Sequence, residues 1–220
     1  GDSLMYIDIK ELSFKGREVL KDVHLSFQEG AFISILGVNG SGKSSFYKAL
    51  LGLVNYKGST DVLQQDIAVV SDYVSLPSET PVADILGFVY EHSKMTGELE
   101  SLRTMLNIDD TLNVKIHSQS SGQKRKLELF CAVASGCKII IYDEVTANID
   151  EPSQNMILSF IKEYHMSHKN CLAFYSSHNL KEIIQLGGKK MLITPTSKSF
   201  EDVSEFTFED IALRIASLSA

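Results

Sequence analysis

The chain has 220 residues, 44% apolar and 22% charged, a balance that suits a globular domain and excludes a disordered polymer. Its net charge of −7 argues against a broad nucleic-acid-binding face. No apolar run approaches the roughly 20 residues of a membrane-spanning helix, and Cys131, Cys137 and Cys171 form no CxxC pair and are expected as free thiols.

The opening GDSLMYIDIK is acidic and lacks an apolar signal core, so no secretory signal is expected, and Met5 is the expected natural start. YIDIKELSF and VLKDVHLSF then alternate apolar and polar residues as two strands around a turn at Lys15–Arg17. AFISILG is a more fully buried strand. Ser44–Leu53 has helical spacing, with Phe46, Ala49, Leu50 and Leu53 on one face. From Gly58 to Val70 the pattern suggests a hairpin-like piece ending in the strand DIAVV.

Residues 73–118 change character, with helical spacing in VADILGFVYEHS and LESLRTMLNI. Helices at Lys124–Ala134, Pro152–Tyr164 and Leu180–Gln185 then alternate with strands KIIIY, CLAFYS and KMLIT. Thr207–Asp210 has capping-box form before a last helix containing Ile211, Ile215 and Leu218. Such alternation predicts an α/β fold with a largely parallel sheet. The expected organisation is one domain over 5–220: a core of about 5–72 and 126–220, and a helical subdomain of about 73–125.

LGVNGSGKSS, Leu36–Ser45, joins a predicted strand to a predicted helix. Gly37, Gly42, Lys43 and Ser44 fit the phosphate-binding pattern G-x-x-x-x-G-K-[ST] in its required context. Bare glycine backbone lets successive N–H groups converge on an anion, and the helix start adds free donors. The loop, with Asn39, Gly40, Ser41 and Ser45, is therefore a candidate nucleotide-phosphate site, with Lys43 reaching phosphate and Ser44 holding Mg2+. A plain Gly/Ser turn explains the glycines but not Lys43 and Ser44 at this offset. IIIYDE, Ile139–Glu144, supplies a buried strand ending in two acids. Asp143 is a candidate metal ligand, and Glu144 a candidate to polarise the attacking water.

QSSGQKRK, Gln119–Lys126, lies about 20 residues before those acids. Here the chain resembles the ATP-binding cassette family, the ATPase subunits of transporters. The family pattern LSGGQ, helix, strand and DEPxxALD lines up with QSSGQ, KRKLELFCAVA, KIIIY and DEVTANID, within a resemblance running from about Leu12 to His178. It implies a P-loop NTPase fold with an N-terminal antiparallel β subdomain and a helical insert. It also implies ATP and Mg2+ as ligands and a head-to-tail dimer, homo- or heterodimeric. Phe14 matches the adenine-stacking aromatic. Ser120, Ser121, Gly122 and Gln123 match the signature loop that meets ATP on the opposite subunit. Asp150 matches the acid of the dimer-interface loop, and His178 the switch histidine, which acts in catalysis with Glu144 and Lys43. The resemblance further implies a separately encoded membrane permease, docked on the insert through Tyr73, Val74, Leu76, Val82, Ile85 and Phe88. The subunit would then lie in the cytoplasm, attached peripherally to the inner face of the membrane, with no nucleic-acid partner.

Departures are also visible. Asp72 stands where the family carries a Gln that touches magnesium; a carboxylate can reach a metal but adds charge beside phosphates. Gln119, Ser121 and Val145 replace Leu, Gly and Pro. Two alternatives stay open: a soluble cassette acting on nucleic acid or ribosomes, and a regulatory subunit that binds ATP but hydrolyses it poorly.

Overall fold

A computed structural model describes residues 4–95 and 97–218. Strands β1 (Leu4–Phe14) and β2 (Arg17–Gln28) pair antiparallel around the turn Lys15–Gly16, both residues of which have positive φ. Next come β3 (Phe32–Leu36), α1 (Lys43–Leu50), β4 (Lys57–Thr60) and β5 (Ile67–Val70). The insert holds α2 (Val82–His92) and α3 (Leu99–Met105), followed by α4 (Ser121–Ala134). The remainder is β6 (Ile139–Asp143), α5 (Glu151–Ser167), β7 (Leu172–Ser176), α6 (Leu180–Leu186), β8 (Lys189–Ile193), β9 (Phe200–Asp202) and α7 (Phe208–Leu218).

Two sheets form. One is antiparallel in the order β2-β1-β4, and the other has the order β5-β6-β7-β3-β8-β9. In the larger sheet every pairing is parallel except β8 with β9. Its central strands are buried on both faces, and the period-2 geometry sorts them into two cores. Ile139 and Ile141 face Ile7, Leu20, Phe27 and Phe46 beneath the small sheet and α1. Ile140 and Tyr142 face the other core, which runs through Phe130 and Ile161 into Leu86 and Leu102 of the insert.

The 58–70 segment is not a hairpin. β4 pairs antiparallel with β1, whereas β5 joins the other sheet beside β6. The link is anchored by buried Val62 and by Asp61, whose carboxylate accepts the Tyr6 N–H at 2.7 Å. Helix α1 is also shorter than its spacing suggests. Gly52 adopts φ 68°, the Leu53 N–H bonds the Lys48 carbonyl at 2.9 Å and the Gly52 N–H bonds that of Ala49 at 3.1 Å. That Schellman closure ends the helix and leaves Leu53 exposed instead of on its core face. Strand β9 was not legible, because three residues carry no periodicity. Half of the capping pattern at 207–210 forms, with the Asp210 N–H bonded to Thr207 Oγ1 at 3.1 Å. The three cysteines are free thiols.

Candidate functional site

The loop 37–42 leaves the C-terminal end of β3 in the middle of the parallel sheet and enters α1. Its glycines have two distinct reasons. A Cβ on Gly37 would lie 2.5 Å from Ser41 Oγ and 2.9 Å from the Ile193 carbonyl oxygen, so no side chain fits. Gly42 holds φ 111° at the N-cap of α1, where a Cβ would also meet Ile193 and Leu20 at 3.0 Å. With no side-chain cap on α1, the first-turn N–H groups are left for an anion. Buried Ser41 has a hydroxyl without a hydrogen-bond partner among the described residues. Asn39 and Gly40 are exposed, as is Ser44, and Ser45 is half-buried.

The acids arrive from the neighbouring strands. β6 places Asp143 beside Ser176 of β7, and the Glu144 N–H bonds the Ser176 carbonyl at 2.9 Å. Glu144 adopts φ 53°, a left-handed conformation costly for a side-chain-bearing residue and typical of positions where geometry serves function. It lies against His178, with Oε1 3.4 Å from Nε2 and Oε2 3.4 Å from the backbone N–H. Ser44 and Asp143 line one cleft of about 320 Å³ together with Ser71 and Tyr73.

Electrostatics tie these groups into one cluster. Burial pulls the Lys43 ammonium below its ordinary pKa, while Glu144 and Asp143 work to keep it charged. Burial likewise raises both acids. His178 and Lys43 oppose the shift at Glu144, and Lys43 opposes it at Asp143, where Asp72 reinforces it. A cation that feels two partly desolvated carboxylates at the start of a helix makes a site prepared for more negative charge and a divalent ion. The glycine cradle, the orphaned Ser41 hydroxyl and the Ser44–Asp143 cleft fit a magnesium-bound nucleotide phosphate tail.

The remaining candidates sit on other elements. Phe14 stands at the end of the β1–β2 hairpin, 59% exposed, with its ring free but for Lys15 Nζ at 5.4 Å from the centroid. Ser120 and Gln123 satisfy each other as a capping box: Ser120 Oγ accepts the Gln123 N–H at 3.2 Å and Gln123 Oε1 accepts the Ser120 N–H at 2.8 Å. Ser121 is exposed, and Gly122 is pressed against α5, where a Cβ would stand 2.5 Å from Ser153 Oγ and 3.0 Å from Asp150 Oδ1. Asp150 caps α5 by accepting the Ser153 N–H at 3.0 Å, which holds its carboxyl below the usual range. Among the described residues, no hydrogen bond or ion pair links the Ser120 turn to the 37–45 loop of the same chain. Asp72 is engaged by the guanidinium of Arg125, not by the cluster around Lys43. Of the expected docking residues, Val82 is core, whereas Tyr73 is 87% and Phe88 61% exposed.

Three polar clusters behind the site carry no signal in the sequence. Tyr47 of α1 hydrogen-bonds Ser176 through its hydroxyl, joining the helix after the loop to the strand before His178. Buried Glu182 accepts Thr146 Oγ1 at 2.7 Å, Tyr175 OH at 2.9 Å and Ser177 Oγ at 2.9 Å. Arg125 also reaches Glu128 at 3.4 Å, whose carboxyl burial pushes up to about 7.

The sequence profile described as "ABC transporter" matches residues 20–147. "Galactose/methyl galactoside import ATP-binding protein MglA" of Yersinia pestis bv. Antiqua (strain Antiqua) is 27% identical over 84% of this chain. The chain spans only 40% of that relative's length. Among solved structures, an "ATP binding subunit of ABC transporter" superposes with TM-score 0.79 at 19% identity, covering 99% of this chain and 95% of the other. A second, cbiO1 from Clostridium perfringens, described as part of the ABC transporter complex cbiONQ, gives TM-score 0.77 at 16% identity over 98% and 93%. These superpositions establish the fold, a P-loop α/β sheet with an antiparallel β subdomain and a helical insert. The profile covers more than half of the 220 residues, and the chain belongs to the ABC transporter family.

Proposed function

We propose that this chain binds and hydrolyses ATP to power a membrane transporter, as one half of a head-to-tail dimer with a second cassette, identical or different. The observation that carries the reading is the grouping of Lys43, Asp143, Glu144 and His178 beside a loop whose Gly37 and Gly42 leave no room for a side chain. Residues 5–220 then act as one cassette, the insert of about 73–125 serving as its helical subdomain; the apolar cluster shared between insert and main sheet supports this.

In this reading the amides of 37–45 and the Lys43 ammonium bind and orient the phosphates, and Phe14 offers its face to the adenine. Ser44 and Asp143 would hold magnesium, which when bound neutralises charge on the phosphate oxygens. Glu144 orients the attacking water through its carboxylate and accepts its proton, for which a burial-raised pKa suits it. His178 contacts that carboxylate directly, and the charge of Lys43 also favours its ionised form. The Ser120–Gln123 turn is idle toward its own chain's loop, so its use falls to a partner's nucleotide, with Asp150 at the seam.

No helix among the described residues is long and apolar enough to cross a membrane. In this reading transport runs through a separately encoded permease, which would hold this domain at the inner, cytoplasmic face, with no nucleic-acid partner proposed. An apolar cleft of about 470 Å³ between insert and α4, lined by Leu76, Ile85, Phe88 and Cys131, suits that contact. Steady-state ATPase rates of wild type, Lys43→Ala and Glu144→Gln test the reading. Loss of turnover in both variants is expected, and equal rates in all three would refute it.

A further inference from the structure

Asp72 is this chain's sharpest departure from the family pattern, since it puts a carboxylate where a neutral amide is usual. Its charge is felt at Asp143, so it lies on the carboxylate side of the site. Arg125 pairs with it through Nη2 and with Glu128 through Nη1 at 3.4 Å. The Arg125 side chain is only 6% exposed, whereas that of Asp72 is 65% exposed, so the guanidinium is the fixed member and Asp72 is drawn to it. Arg125 belongs to α4, one turn past Ser120, and Asp72 follows β5, the partner of the strand ending in Asp143.

We propose that Arg125 clamps Asp72 to α4, so that Asp72 is a positioning residue that ties the end of β5 to α4 and not a magnesium ligand. This rests on the nucleotide-binding reading above. Two physical points favour it. A bare carboxylate would repel phosphates, and pairing cancels that charge. Releasing Asp72 to a metal would leave Nη2, on a side chain only 6% exposed, without the partner it has now, Glu128 holding Nη1 alone.

The test is affinity for a fluorescent ATP analogue, with Mg2+ and with EDTA, for the wild-type chain, Asp72→Gln, Arg125→Gln, Arg125→Lys and the double variant Asp72→Gln/Arg125→Gln. Arg125→Gln is expected to weaken binding about tenfold in both media, by leaving one uncompensated charge near the phosphates. The double variant should return to within about twofold of wild type, and the gain in affinity that Mg2+ brings should persist in Asp72→Gln. Arg125→Lys, which keeps the charge, should lose roughly threefold or less, and it decides the matter if Arg125→Gln does not fold. Loss of the Mg2+-dependent gain in Asp72→Gln, or a double variant no better than Arg125→Gln, would overturn the clamp. A wild-type chain that binds no nucleotide in either medium would instead overturn the functional reading beneath it.

Discussion

Truncating Glu182 to Ala removes the acceptor that holds two site loops. Its carboxylate takes hydrogen bonds from Thr146, Tyr175 and Ser177 at 2.7–2.9 Å, all in a buried setting. Thr146 sits two residues beyond Glu144, and Ser177 directly precedes His178. Hydrogen bonds to a charged group are worth about 1.5–3 kcal/mol each, but the buried carboxylate's own desolvation offsets part of their sum. Each of the three hydroxyls left buried without an acceptor costs about 1–3 kcal/mol, so about 3–5 kcal/mol net is expected once that offset is taken off. For a chain of this size each kcal/mol lowers Tm by about 2–4 °C, so a fall of roughly 10 °C is expected by scanning calorimetry. Glu182→Gln keeps the shape and one carbonyl oxygen, and should fall about a third as far. Because the loops carrying Glu144 and His178 loosen, kcat should drop more than KM rises in the Gln variant. A Tm loss under about 3 °C for Glu182→Ala, with turnover intact, would refute this account of the loops.

Three further outcomes are expected. Gly37→Ala forces a Cβ to within 2.9 Å of the Ile193 carbonyl; a destabilisation of about 1–3 kcal/mol should appear in urea unfolding, with nucleotide affinity reduced by an order of magnitude or more. His165, which accepts or donates to Tyr142 OH at 2.8 Å, has its pKa driven down to about 4 by burial. The unfolded chain binds that proton first, so stability should fall as pH drops from about 6.5 to about 4, by roughly 3 kcal/mol; a His165→Gln chain whose Tm tracked wild type across that window would contradict it. Tyr47→Phe deletes the tie to Ser176 and should cost about 1 kcal/mol in chemical denaturation, while an unchanged midpoint would show the contact to be idle.

Much of the fold was readable because its signals are strong and local. Ile139–Tyr142 is an unbroken apolar run suited to burial on both faces, and the glycines, lysine and serine of 37–44 fix loop, helix start and chemistry together. Where reading failed, the deciding partner was distant in sequence. β4 belongs with β1 because Ile7 and Thr60 pair across the chain, a fact absent from residues 58–70 themselves. Leu53 keeps helical spacing with Leu50, yet Gly52 closes the helix before it. Glu182 looks like an ordinary first-turn acid, and only the arrival of Thr146, Tyr175 and Ser177 makes it a hub. The guanidinium that engages Asp72 comes from 53 residues away, a contact that no local pattern around Asp72 signals.

The account turns on one chain's Ser120 turn closing over nucleotide held by another's Lys43 loop. Sedimentation velocity of Glu144→Gln with MgATP, against the same protein with MgADP, tests this most directly. A dimer with ATP that reverts to monomer with ADP, and that is lost in Glu144→Gln/Ser120→Phe, is the predicted result; a monomer under both nucleotides, at concentrations well above the measured ATP affinity, would contradict it.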